Sequence, residues 1–250
     1  MLLLDLITNF FDAIDLFDSR EALLSAISAL CDHAGVDYFA VVHHGDAEAS
    51  SPDLIRLHNY PTDFAAFHAD HRLGVRDPVH RMSQLRGSGF LWASMTRLLP
   101  SFDARDSQIL ERAQRSGIGD GYTRPFHVPG ERSGSCSFAV RSGGIFPRRL
   151  IPFAEALGSF AFEAARALNL REQPTWRHAG RLSPRERDIV ILLGQGLQHK
   201  AIAWNLGISV ETVTDHLRNA RAKFGVTKSA VLIVCGLLSG SITYSEFLAG

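Results

Sequence analysis

Apolar positions in the first 170 residues follow two rhythms. Spacings of three and four predict helices over about 2–17, 19–34, 61–70, 76–85, 103–116 and 147–169. Short apolar runs predict strands over about 36–43, 53–60, 122–128 and 134–141. Helices before, between and after strands indicate an α+β fold, an α-β-α sandwich, and not the strict strand-helix alternation of a phosphate-accepting receiver domain. The last of these helices carries Phe153, Leu157, Phe160, Phe162 and Leu168, enough apolar surface for both a core and a dimer seam.

The periodicity then stops. Residues 171–181, from Arg171 through Pro174 and Gly180 to Arg181, are polar and read as a linker between a domain over 1–170 and a smaller one over 182–250. Ser183 is an N-cap, Pro184 takes the first helical position and Glu186 closes a capping box, so a helix is expected to run to about Leu193. Gly194 and Gly196 end it. A second helix follows over Gln198–Leu206, Gly207 makes a tight turn, and Ser209 caps a third helix. On that third helix Val213, Leu217, Ala220 and Phe224 share one face, leaving Thr212, Thr214, Asp215, Arg218 and Arg221 on the other. A short helix, a glycine turn and an amphipathic helix with hydroxyl and guanidinium groups outward is a helix-turn-helix, whose second helix fits the DNA major groove. Arg pairs bidentately with guanine and Thr reaches a base edge, while Lys200, His216, Lys223 and Lys228 are placed to meet phosphates.

Composition sharpens this division. The formal net charge is +0, yet residues 1–173 hold 17 Arg and no Lys against 21 acids, whereas 174–250 hold nine basic side chains against five acids. A mildly acidic large part joined to a basic small part is expected when only the second meets a polyanion. No apolar run approaches the ~20 residues of a bilayer span, and the start lacks a basic n-region, so a cytoplasmic protein with no membrane partner is expected. Cys31, Cys136 and Cys235 are odd in number and far apart, which fits reduced thiols and no metal site.

From Leu182-Ser183-Pro184-Arg185-Glu186 through Ala201-Ile202-Ala203, Leu206-Gly207-Ile208-Ser209, Thr212-Val213, His216-Leu217 and Lys223-Phe224-Gly225-Val226, the chain resembles the DNA-binding domain of the LuxR family. The resemblance implies an all-α domain of four helices. Its last helix, about Ser229–Ser239 with Val231, Leu232, Val234, Leu237 and Leu238, helps pair two such domains on a pseudo-palindrome. Double-stranded DNA, a second copy of the chain and a small-molecule signal are thus the expected partners, with RNA polymerase a further candidate.

The larger domain extends the resemblance. Tyr60, Phe64, His68, Asp77-Pro78-Val79 and Trp92 keep the spacing of the pocket signature in the autoinducer-binding domain of that family, and Gly121 and Ser137 fall close to its glycine and pocket hydroxyl. Carried over, Asp77 accepts a hydrogen bond from the amide of an acyl-homoserine lactone, Tyr60 and Ser137 address the acyl carbonyl, and Trp92 walls the head-group end. Two positions depart from the family. Its lactone-gripping Trp is Phe64 here, which has no donor; a buried lactone carbonyl left unpaired costs about 1–3 kcal/mol. His68 replaces a family Tyr with a smaller, titratable ring.

The other histidines, His43-His44, His71 and His127, are too dispersed along the chain for a metal site, and no nucleophile elbow, Walker A loop or dinucleotide fingerprint occurs. The sequence therefore reads as a dimeric, ligand-responsive transcription regulator without enzymatic activity. The alternatives within the same architecture are an orphan receptor for a non-lactone signal and a ligand-independent DNA-binding protein.

Overall fold

The computed structural model of the chain describes residues 3–45, 54–74, 76–129, 131–172 and 180–248. They fall into two compact units, Met1–His127 with Arg132–Gln173, and Val128–Glu131 with Pro174–Gly250.

The first unit is built on a five-stranded antiparallel sheet in the order β2-β1-β5-β4-β3. Its strands are β1 (Tyr38–His43), β2 (Arg56–His58), β3 (Phe90–Leu91), β4 (Ile118–Phe126) and β5 (Gly134–Arg141). Side chains alternate between the two faces with period two. One face, with Cys136, Phe138 and the buried Tyr122, is covered by the long helix α7 (Ile151–Glu172), assisted by α1 (Leu3–Asp12) and α2 (Arg20–Ala34). Phe153, Leu157, Phe162 and Leu168 of α7 are all buried, and Phe126 stacks on Phe162 at 4.2 Å between centroids. Phe160 lies half-buried against the exposed Phe11 of α1, at 4.8 Å.

The other face is roofed by α3 (Thr62–Asp70), α4 (Pro78–Gln84), the four-residue α5 (Met95–Leu98) and α6 (Ala104–Arg115). These helices are fixed by local caps. Asp103 and Asp106 form a reciprocal capping box on α6, and Asp77 caps α4 with Pro78 in its first turn. Arg81 of α4 then reaches the buried Asp106 at 2.7 Å and ties the two helices together.

The second unit is helical: α8 (Pro184–Gly194), α9 (His199–Leu206), α10 (Val210–Lys223), α11 (Ser229–Leu238) and the short α12 (Tyr244–Leu248), which adds a fifth helix to the four that the sequence suggests. Its core joins Ile189, Val190, Ile202, Val213, Leu217 and Leu232 from four helices. Each such side chain contributes roughly 1.5–3 kcal/mol on burial. Of the expected linker, Arg171 and Glu172 complete α7, Gly180 and Arg181 lead into α8, and 173–179 lie outside the described residues.

Candidate ligand cavity and DNA-reading helix

Between the sheet and its roof lies a cavity of about 510 Å³, within the usual size of small-molecule sites. Strand register explains its floor. Pairings of Ala40 with His58, Ala40 with Ser137, and Ser137 with Thr123 place these four residues in one row across β2, β1, β5 and β4, on the face away from α7. His58, Ala40 and Ser137 line the cavity. The roof supplies Phe64 and His68 from α3, Asp77 and Val79 at the start of α4, and Ala113 from α6. Tyr60 and Trp92 complete the set, so all seven residues carried over from the pocket signature line this one space.

The hydroxyl side of the cavity is a relay. The Trp92 indole N–H donates to Thr123 Oγ1 at 2.8 Å, Thr123 and Ser137 hydroxyls meet at 2.8 Å, and the Ser137 hydroxyl faces the Tyr60 phenol. Burial pushes the Tyr60 phenol up, Asp77 adds to the rise, and the Ser137 contact only partly opposes it. Tyr60 therefore stays a neutral donor at physiological pH. The position of Trp92 depends on Gly121: a Cβ there falls 2.8 Å from the indole and 2.7 Å from the Phe138 carbonyl oxygen. Only glycine admits the ring at this point on the sheet.

The opposite side is built around Asp77. Its Oδ1 accepts from the Val79 N–H at 2.7 Å and the His80 N–H at 3.4 Å, and its Oδ2 stands 3.3 Å from His68 Nε2. Burial alone raises the carboxyl pKa, but the His68 hydrogen bond, the charges of His80 and His68, and the Val79 N–H together hold it well below the usual carboxylate range. Phe64 is buried and sets its ring edge-on to Tyr60 at 5.9 Å and tilted 6.3 Å from His68. The wall at that point is apolar, with no donor from this side chain. Val79 packs in a cluster with Met82, Phe90, Met95 and Leu99, against which Trp92 rests.

Several residues of this site were not signalled by the pocket signature. Thr123 bridges Trp92 to Ser137, and a cross-strand reading of the two alternating strands was the signal that could have found it. The histidines, dispersed along the chain, are gathered in space: His44 stacks on His80 at 4.2 Å, and His68 approaches His80 at 5.5 Å. Burial, reinforced by the neighbouring His80 charge, holds His44 down to about 2, so it serves as a neutral ring bonded through Nε2 to Ser135 Oγ at 2.9 Å. Among the described residues no group of three or more His, Cys, Asp or Glu is arranged to hold a metal ion. The cysteines carry free thiols, Cys31 and Cys136 being buried.

In the second unit, Ser183 and Glu186 form the expected capping box, and the Arg185 guanidinium donates to the Leu206 carbonyl at 2.7 Å, closing the end of α9. Gly207 follows in the left-handed conformation, φ 63°, and turns the chain into α10, whose N-cap Ser209 accepts from the Thr212 N–H at 3.2 Å. Val213, Leu217 and Ala220 are buried and Phe224 is half-buried. On the outward face Thr214, Asp215 and Arg218 are exposed, as is Lys200 on α9, while Thr212, His216 and Arg221 are half-buried. Arg218 pairs with Asp215, and Arg221 reaches Ser229 Oγ at 3.3 Å. Lys223, expected to meet a phosphate, also donates from Nζ to Glu186 Oε2 at 2.6 Å, a buried carboxylate that needs a cation beside it.

Comparison with known proteins agrees with this architecture. The autoinducer binding domain family model matches residues 19–165, and that of the bacterial regulatory proteins of the luxR family matches residues 180–235. The HTH-type quorum sensing-dependent transcriptional regulator RpaR of Rhodopseudomonas palustris is 25% identical over 237 residues, 94% of this chain and 93% of its own. The transcriptional activator protein LuxR of Aliivibrio fischeri is 26% identical over 193 residues, 76% of each chain. The fold is that of Escherichia coli SdiA, at TM-score 0.70 and 19% identity over 94% of this chain and 97% of that one. A structure of SdiA in complex with octanoyl-rac-glycerol superposes at TM-score 0.71 and 18% identity, covering 98% of both. No described helix is long and apolar enough to cross a membrane. With an autoinducer-binding domain ahead of its helix-turn-helix, this chain belongs to the LuxR family of quorum-sensing transcriptional regulators and is a ligand-responsive DNA-binding protein, not an enzyme.

Proposed function

We propose that a small amphiphilic signal occupies the cavity lined by Tyr60, Phe64, His68, Asp77, Val79, Trp92 and Ser137, and that its occupancy governs DNA binding by a homodimer in the cytoplasm. The observation that carries this reading is the convergence of those seven residues, from separate elements, on one cavity of about 510 Å³. A ligand that binds the DNA-competent state better than the alternatives raises its population by RT ln(1 + [L]/Kd). Residues 1–170 take the sensing role, 182–250 the DNA-binding role, and 171–181 join them.

Pairing is assigned to α11. Val231, Val234 and Leu238 recur at i, i+3 and i+7 and are 43%, 52% and 60% exposed, an apolar stripe that a second copy covers by two-fold symmetry. DNA reading is assigned to α10, with Thr214 and Arg218 toward base edges, Thr212, Asp215, His216 and Arg221 flanking them, and Lys200 toward phosphate. RNA polymerase is a further contact of the bound dimer.

The test is affinity for an operator selected from random duplexes by the full chain. Replacing Thr214 and Arg218 together with Ala is expected to weaken it by about 1–3 kcal/mol for each base no longer read. Fluorescence anisotropy at fixed salt measures this, and an unchanged operator affinity in the double variant contradicts the assignment. A second reading of the signal, that it lacks a lactone, is favoured by the donor-free Phe64 and by His68, which hydrogen-bonds the Asp77 carboxylate.

A further inference from the structure

The polar part of the cavity wall is built to meet acceptors. Arg56, His58, His68, Arg72 and His80 line it, against two carboxylates among the described residues, Asp70 and Asp77. Asp77 has both oxygens engaged by the protein itself, Oδ1 by backbone N–H groups and Oδ2 by His68. Its side chain is 10% exposed and that of His68 is 26%, so an entering molecule meets the imidazole more readily than the carboxylate. A ligand amide N–H has to compete with His68 for Oδ2. Arg72, in contrast, has no carboxylate partner among the described residues. It is also their one non-glycine residue with positive φ, at 49°, a backbone state that persists where surrounding structure imposes it. His58 Nδ1 is buried without a hydrogen-bond partner among the described residues, a cost that a ligand's polar atom can remove.

Resting on the reading of this cavity as the signal pocket, we propose that it selects an amphiphile with a carboxylate head in place of an amide-linked lactone. Arg72 makes the charge-assisted contact and Arg56 adds to the positive field. The acyl tail lies against Phe64, Leu73, Val79, Leu110 and Ile118, which line the same space. Arg72 thereby gains a counter-ion that a neutral lactone cannot supply, and the missing donor at position 64 ceases to matter.

Isothermal titration of the full chain tests this with linear carboxylates of eight to twelve carbons, below their micelle concentrations, against N-acyl-homoserine lactones of matched acyl length. The expected result is saturable carboxylate binding about tenfold or more tighter than the matched lactone. Arg72→Gln should weaken the carboxylate by about tenfold and leave the lactone within about twofold. His68→Tyr, which frees Asp77, should move the preference toward the lactone. Tighter lactone binding in the unaltered chain, with carboxylate affinity indifferent to Arg72→Gln, overturns the carboxylate head and leaves the signal pocket standing. No saturable binding of either series overturns both.

Discussion

Replacing Asp77 with Ala is expected to destabilise the first unit by about 2–3 kcal/mol. Two local effects add. The start of α4 loses the acceptor of the Val79 and His80 N–H groups, worth about 1 kcal/mol for a typical cap and up to about 2. His68 loses the carboxylate it faces at 3.3 Å, and a group left without its charged partner in a buried site costs about 1–3 kcal/mol more. Asp77→Asn separates the two, because asparagine still caps a helix but carries no charge; it should retain more than half of the lost stability. Urea denaturation of the three proteins measures this, and equal stability of Asp77→Ala and the unaltered chain contradicts the role. The pH dependence has a defined sign. The folded carboxyl lies below its unfolded value, near 3.9 in an unfolded chain. Its contribution is therefore fully present above that value and is lost as pH falls through the folded pKa. The stability gap between the unaltered chain and Asp77→Asn should thus be present at about pH 5 and shrink below about 4.

Replacing Glu186 with Ala is expected to have a comparable effect on the second unit, again about 2–3 kcal/mol. Glu186 is 4% exposed, and its Oε2 accepts from the Ser183 N–H at 2.7 Å and from Lys223 Nζ at 2.6 Å. It therefore closes the capping box of α8 and holds the last turn of the DNA-reading helix α10 at the same time. Removing one member of such a buried group costs more than the group's net worth, because the remaining donors lose their acceptor; the partial exposure of Lys223 moderates the loss. Glu186→Gln keeps an acceptor for the Ser183 N–H and should cost about half as much. Scanning calorimetry should place the loss in the transition of the helical unit and leave that of the sheet unit unmoved. A drop confined to the sheet unit, or no drop, contradicts the assignment. Desolvation raises the Glu186 pKa, but the Lys223 contact and the Ser183 groups lower it further, leaving it below the ordinary value. This stabilisation too is present at neutral pH and is lost as pH falls through the depressed value.

The helical unit was the more legible half because its signals are local. Ser183, Pro184 and Glu186 mark a helix start within four residues, Gly207 supplies a turn only glycine adopts readily, and the apolar spacing from Val213 to Leu217 fixes the buried face of α10. What escaped there was nonlocal: the claim of Glu186 on Lys223 spans 37 positions. The sheet unit was legible in its long elements and less so in its edges. The two-residue β3 exists because it pairs with β4, as Phe90 with Thr123 and Leu91 with Tyr122, and has no sequence pattern of its own. β4 begins at Ile118, four residues before the expected start, because Gly119 and Gly121 look like breaks but serve close contacts with the Arg141 backbone and the Trp92 ring. The pocket signature was readable from spacing, whereas its electrostatics were not. His44 and His80 are 36 residues apart, and only the fold stacks their rings.

Coupling between occupancy of the cavity and DNA binding is the centre of this mechanism. Its most direct measurement is operator affinity with and without saturating acyl ligand, in the unaltered chain and in Ala113→Phe, which places a ring in the cavity from α6. A ligand-induced change of about fivefold or more in operator Kd, present in the unaltered chain and absent from a stably folded Ala113→Phe, is the predicted result. An operator affinity identical with and without a ligand that titration shows to be bound would contradict it.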